Sequence, residues 1–584
     1  MALKITDEQN YQDIADAIRG KLGSSDTFLP SEMADAIERI PSGGETEEIK
    51  TIFIDYDGTV LHSYTQDEVD ALTELPELPA HIGLICQGWN WTLSELQSFG
   101  RAAVVGANYV TDDGKTRVYV SIPENDRYVK THVTASTTFN ATVDWGDGTS
   151  SEITRADSTA EHIYAQAGDY VVTFTVNEGV LTFNGTSSIG SRIIFSNQGS
   201  IGPIGAVRYI NKIELGRSIA VSTYAFANAS NLKSITVPNN IVFKDGDLYQ
   251  CNNLKSVVFP ASSVEMPVNC MFGCVNMKYV SLPPTVTTIK SSFASDCNNL
   301  ERITLPEGLT QILTEAFLNC YSLIISDIPN SLTSIGNYSF EYVPGLPKKL
   351  IFSENVTKLG RSCFAYTNIE EVEINGDVSV GSAMFSNNRS LKKVKIRGTI
   401  SGTSGSMFLA CSELEEIHVL GDNTEIPANF ASGCHSLKKA ILTDSITAFG
   451  DSAFEDCMSL NEINMPEGLL TFGDSVFYGC WQVDSMVIPQ GVTVIPSYCF
   501  AEAFSLTNII FLGDIQKIES YAFTKTGGLT DVDLTHCTAV PILKNANAFV
   551  AIENRLKIKV PSALYADWIV ATNWSTFEDY IVAI

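Results

Sequence analysis

At 584 residues, 44 % of them hydrophobic and only 18 % charged, the chain is long for one domain and too apolar to be disordered throughout. Its formal net charge of −29, without Lys or Arg stripes, argues against a nucleic-acid partner, because phosphate binding needs clustered cations. No apolar run reaches the ~20 residues of a membrane span, and the first thirty residues lack the basic start and apolar stretch of a secretory signal; neither membrane insertion nor export by a leader is expected.

Residues 1–41 predict two short helices. Tyr11, Ile14, Ala15 and Ile18, then Met33, Ile37 and Ile40 beyond a Gly-Ser-Ser turn, recur at helical spacing. The phrase YQDIADAIRGKLGSSDTFLPSEMADAIERI resembles an N-terminal module common on phage tail and receptor-binding proteins of Gram-positive hosts. That resemblance implies attachment to other tail proteins or assembly of subunits. Residues 42–48, Gly- and Glu-rich, read as a linker.

Residues 49–127 predict a small α/β module. At its start, Asp55-Tyr56-Asp57-Gly58-Thr59 after an apolar strand has the form of the nucleophile motif of haloacid-dehalogenase-type phosphatases. About 75 residues are too few for the doubly wound core and later Lys and acid motifs such an enzyme needs. The better reading is a tight turn between Ile52-Phe53-Ile54 and Val60-Leu61, and Asp112-Asp113-Gly114-Lys115 likewise reads as a hairpin turn. Trp89 and Trp91 either anchor a small core or stack on a sugar.

Residues 128–178 alternate as strands do. Trp145-Gly146-Asp147-Gly148-Thr149, with His162-Ile163-Tyr164 and Ala167-Gly168-Asp169-Tyr170 behind it, resembles the PKD domain, which implies a small immunoglobulin-like sandwich serving as spacer or interaction module. Asp144 and Asp147 read as turn residues rather than calcium ligands. Residues 179–206 are expected to form the N-terminal cap of a solenoid that begins at residue 207.

From 207 to 534 one phrase recurs, as in SITAFGDSAFEDCMSLNEINMPEG. Fourteen copies of about 23 residues are anchored at Phe226, Leu248, Phe272, Phe293, Phe317, Phe340, Phe364, Phe385, Phe408, Phe430, Phe454, Phe477, Phe500 and Phe523. A unit so short cannot bury its own apolar side, so copies must stack, each Phe on its neighbours. The Leu-x-x-Ile-x-Leu segment, for instance Leu460, Ile463 and Met465, predicts one strand per copy and one long parallel sheet. These repeats resemble BspA-like leucine-rich repeats of bacterial surface and phage tail proteins. The resemblance implies a curved, non-catalytic binding scaffold.

Cys251, Cys274, Cys297, Cys320, Cys411, Cys434, Cys457 and Cys480 share one slot behind the anchor, where Cys is expected to act as a small apolar filler. Cys270 and Cys274 have ligand-pair spacing, but no second pair or His partner follows, so no metal is expected. Residues 535–584 break the period and predict a C-terminal cap, with a strand at Ile558-Lys559-Val560 and a helix from Ser562 to Ala571.

The expected architecture is therefore multidomain and mainly β: a helical hairpin, a small α/β module, a PKD-like sandwich and a leucine-rich-repeat solenoid. On the open face of its sheet the strand residues between buried positions are Glu371, Glu373, Lys393, Lys395, Glu416, His418, Lys439 and Glu462, then Val487 and Ile510. The alternating signs either stabilise the sheet from rung to rung or present a charge-mixed face to a ligand; Val487 and Ile510 are the first candidates for a protein contact. No catalytic constellation and no cofactor loop is found. The resemblances imply a tail fibre or receptor-binding protein in the virion, a homo-oligomer such as a trimer, with a host-surface glycan or protein as partner. The alternative is an adhesin on a bacterial cell surface.

Overall fold

A computed structural model describes residues 50–584, except 136–137, 156–157, 187–189, 192, 194–205, 403–404 and 553–554. The predicted helices of residues 1–41 and the linker lie outside the described residues. The chain divides into two compact units, Met1–Pro347 and Lys348–Ile584.

The first unit opens with β1 (Thr51–Ile54), β2 (Val60–Tyr64), α1 (Gln66–Ala71), β3 (Leu84–Trp89), α2 (Leu93–Phe99) and β4 (Val104–Thr111), in a sheet of order β2-β1-β4-β3. Both helices start at capping boxes, Thr65 with Glu68 and Thr92 with Glu95, in which side chain and backbone satisfy each other's free donors. Asp57-Gly58 is the expected turn: the Asp55 N–H donates to the Thr59 carbonyl at 2.9 Å, and Gly58 takes φ +88°. The Asp112-to-Lys115 turn differs from expectation. β4 and β5 (Thr116–Ile122) leave it into different sheets, so no hairpin forms.

β5 lies between Gly168–Glu178 and Ile210–Glu214, antiparallel to both. Ile210–Glu214 is the first strand of the solenoid, so β5 closes an edge that would otherwise show a row of free backbone groups. Leu181–Phe183 does the same for the second strand, Ile219–Val221. Around Trp145, 1 % exposed, the acidic turn is satisfied internally: Asp144 accepts from the Gly146 N–H, and Asp147 from the Thr149 N–H and from His162, whose ring stacks on the indole.

Most repeats are one coil with two short strands and a turn carrying the anchor; the coil after Phe226 keeps only the first strand and that after Phe317 only the second, with isolated bridges at Ile324. At the turn the residues two before and two after the anchor adopt left-handed backbone, as do Ser452 and Asp456 around Phe454 (φ 55° and 54°). That conformation costs about 1–2 kcal/mol per non-Gly residue. It aims successive N–H groups at the next coil. Ser452, Phe454 and Asp456 donate to Asp474, Val476 and Tyr478 at 2.8, 3.0 and 2.7 Å, which offsets the cost.

The anchors form a buried spine. From Phe454 through Phe477, Phe500 and Phe523 the rings stack at 5.4–5.9 Å with interplanar angles of 4–12°. Three anchors differ. In backbone register the positions equivalent to Phe454 are Met271, Ala294 and Ala431, so Phe272 lies one residue late and Phe293 and Phe430 one residue early. Phe272 is half-buried and stacks on Tyr249 outside the spine. Phe293 and Phe430 stay in the core but turn edge-on, Phe430 standing at 89° to Phe408 and 77° to Phe454. Exchanging Ala-Phe for Phe-Ala keeps the volume and rotates the ring.

The register also runs one coil beyond Phe523, into residues the sequence assigns to the C-terminal cap. The Phe523 N–H donates to the Ala548 carbonyl at 2.8 Å, and Phe549 stacks on Phe523 at 5.1 Å and 7°. The cap itself pairs Lys557–Val560 with the last strand, Ile581–Ala583, around buried Trp568 and Trp574. The helix expected over 562–571 is a 3-10 turn and a four-residue α-turn, Tyr565–Trp568.

The single long sheet is replaced by shorter runs. Of the sheet made by each repeat's second strand, three runs begin at Glu265–Met266, Glu425–Ile426 and Val494–Ile495. Pro267, Pro427 and Pro496 follow at once. At that position in other coils Lys290, Gly450 and Glu519 donate an N–H to the preceding coil at 2.8–3.1 Å, a bond proline cannot make.

Candidate functional site

In the second unit the strands Lys349–Phe352, Glu371–Ile374, Lys393–Ile396, Glu416–Val419, Lys439–Leu442 and Glu462–Ile463 pair in parallel without a slip. Parallel register places Glu371, Lys393, Glu416, Lys439 and Glu462 side by side in one column, and Glu373, Lys395 and His418 in a second. Their inward neighbours Val372, Val394 and Ile417 are buried.

Neighbouring rungs exchange charge. Lys349 reaches Glu371 at 3.1 Å, Lys393 reaches Glu416 at 2.8 Å, and Lys439 contacts Glu462. A flanking column repeats the device, with Lys348 and Lys392 on Glu370 and Lys438 on Glu415. Arg397 binds Glu373 at 2.7 Å and holds its carboxyl below the ordinary range. The hydrogen bond from Lys393 does the same to Glu416, while burial lowers the pKa of His418. These pairs are solvent-exposed and screened, so each contributes little to stability. They fix side-chain positions on a polar, sign-alternating surface. Val487 (49 % exposed) and half-buried Ile510 sit opposite one another in the next run, Ser485–Ile488 with Asn508–Phe511.

Within the first unit the same strand face is already occupied. Most of its outward residues are small, among them Thr236, Ser256, Val258, Ser281 and Thr304, and the sheet β2-β1-β4-β3 lies on them, with Tyr279 packed on the cluster of Ile52, Ile54 and Val104 and Arg302 donating to the Lys50 carbonyl. Asn90 donates to the Phe259 and Ser281 carbonyls, Asn108 to Val237 and Val258, and the Trp91 indole to Leu282 at 2.8 Å. The Val104 N–H donates to Thr304 Oγ1 at 2.7 Å. A Cβ on Gly106 would stand 2.4 Å from Val258, so the absence of a side chain sets the approach. Of the two tryptophans, Trp91 serves this seam and half-buried Trp89 packs on the module core. The only advance signal for the seam was Ser and Thr where the later repeats carry Glu and Lys.

The other candidate groups are engaged structurally. Asp55, 4 % exposed, takes the Tyr56 N–H and His81 Nε2, the latter at 2.7 Å. No group of three or more His, Cys, Asp or Glu that could hold a metal occurs among the described residues. The thiols are more than filler. Cys251, Cys411, Cys434 and Cys480 each donate at 3.1–3.2 Å to the carbonyl of the anchor one coil back, and burial pushes Cys274 up to about 12.

A parallel-stranded coil with a buried phenylalanine spine and an open polar strand face defines a leucine-rich-repeat scaffold. The BspA type leucine rich repeat region matches residues 219–347, 319–438 and 424–550, more than half of the chain, and the protein belongs to that family. Among solved structures the chain is similar to a leucine-rich repeat protein of Bacteroides ovatus, at 20 % identity over 66 % of this chain and 95 % of that one (TM-score 0.40). A leucine rich cell surface protein of Faecalibacterium prausnitzii is similar at 19 % identity, 66 % and 89 % coverage and TM-score 0.32. The pneumococcal vaccine antigen PcpA is similar at 16 % identity, 70 % and 88 % coverage and TM-score 0.32. No curated protein matches the chain. No helix among the described residues is long and apolar enough to cross a membrane.

Proposed function

We propose that this is a binding protein of a phage or phage-like tail, a tail fibre or receptor-binding protein that meets a host-surface glycan or protein with its repeats. The observation that carries the binding role is the contrast between the two strand faces. The first unit's face holds a folded module through side-chain amides and hydroxyls, so the surface is suited to recognition. The second unit's face is open and charged. In this reading residues 1–41 join other tail proteins, the chain is a homo-oligomer, and it acts outside the cell from the virion. The family match supports an alternative reading, an adhesin on a bacterial surface that uses the same face.

Antibody raised against residues 348–584 separates the two. Under the first reading gold label decorates tail tips in micrographs of phage particles, and the purified intact chain binds Gram-positive cells saturably. Label confined to the surface of the producing cell supports the second. A chain that binds neither cells nor isolated envelope glycans and proteins defeats both.

A further inference from the structure

The strand face of the second unit is split between Glu462–Ile463 and Ser485–Ile488. These segments are 23 residues apart, as paired strands are elsewhere, yet no ladder joins them. The cause is local. Asn464 turns its amide back onto Leu442, accepting that residue's N–H at 2.8 Å and donating to its carbonyl at 2.7 Å, so the strand ends after two residues. On the second sheet of the same pair of coils, Pro496 removes the equivalent bond. Among the described residues, the backbone hydrogen bonds that tie these two coils together are those of the anchor turns.

The split opens a depression of 580 Å³. Ile463 and Met465, at positions buried in other coils such as Ile509 and Phe511, are half-exposed in its wall beside Val487 and Leu512. The N–H groups of Ile463 and Met465 on one lip, and of Ser485 and Val487 on the other, have no acceptor among the described residues. Glu467 lies in the wall and Asp484 next to Ser485; among the described residues neither is in an ion pair, and no Lys or Arg lines the depression.

We infer that this split takes an extended peptide segment of a partner protein as an added strand, its backbone bonding to the lips and a basic side chain meeting Glu467 and Asp484. Two facing strand edges offer alternating donors and acceptors, which an extended backbone matches, and the apolar wall receives alternate side chains. The inference rests on the binding reading above but fails separately, since it concerns amides away from the charged columns of residues 349–462.

The test is hydrogen exchange on the intact chain with an octapeptide of alternating Lys and Val. In the free protein the Ser485 and Val487 amides should exchange at least about tenfold faster than those of Asn508 and Ile510, which are laddered. Millimolar peptide should slow them at least about tenfold, and the same peptide N-methylated at alternate residues should not. Three results overturn the inference: Ser485 and Val487 as protected as Asn508 and Ile510 without peptide, no slowing with peptide, or equal slowing by the N-methylated form, which would leave charge and apolar contact as the whole interaction.

Discussion

Single buried groups hold the coils in register, and two are directly testable. Asp247 replaces the small or apolar residue usual just before the anchor; its carboxylate accepts the Ala225 and Lys244 N–H groups in a fully buried site, and burial pushes its pKa up to about 8. In the unfolded chain the group ionises near pH 4, so between pH 4 and 8 the unfolded state loses its proton first. Local stability therefore falls as pH rises through that window, by up to ~1.4 kcal/mol per pH unit. Exchange of the Ala225 and Lys244 amides should speed up from pH 4 to 8 beyond its intrinsic dependence, and Asp247→Asn should flatten the trend. Cys457 donates to the Ala431 carbonyl at 3.3 Å, and Thr526 fills the same slot with a hydroxyl donating to Phe500 at 2.8 Å. Cys457→Ser should consequently cost under about 1 kcal/mol in denaturant unfolding, where a purely apolar slot would lose about 1–3 kcal/mol.

At the scale of the element, the length of each ladder is written in the residue after its second strand. Pro496→Ala supplies the missing donor, and the new N–H should bond the Phe472 carbonyl as Gly473 bonds Phe449 at 2.7 Å. The expected outcome is an amide at 496 as protected as that of Gly473 and a gain of about 0.5–1.5 kcal/mol, read by exchange and by urea unfolding. The period, the strand alternation and the stacked Phe spine were all legible in the sequence, because each follows from residue type at a fixed spacing. The rotated rings of Phe293 and Phe430 were not, since Phe-Ala and Ala-Phe count alike in a hydrophobic pattern and differ only in backbone register. Phe549 was missed because 26 residues, not 23, separate it from Phe523. The interrupted sheets could have been read from Met266-Pro267, Ile426-Pro427 and Ile495-Pro496, had the prolines been weighed as lost donors.

For the whole molecule, the strand face is covered in the first unit and free in the second. Sequence reasoning placed Glu371, Lys393, Glu416, Lys439 and Glu462 on that face and foresaw their alternating signs, but could not foresee that a module from residues 50–111 lies on the first repeats. Its seam is made by backbone carbonyls and small hydroxyls between residues 129 to 200 apart in sequence, which leaves no local pattern. The central claim is that the charged face of residues 348–584 recognises the partner. It is tested by inverting one column as a whole: Lys349→Glu, Glu371→Lys, Lys393→Glu, Glu416→Lys, Lys439→Glu and Glu462→Lys. Net charge and every rung-to-rung pairing of opposite signs are kept, so thermal stability should change by less than about 1 kcal/mol. Binding of the intact chain to its host cells should fall at least about tenfold, because the pattern presented to the ligand is reversed. Unchanged affinity in a variant of unchanged stability would contradict the account.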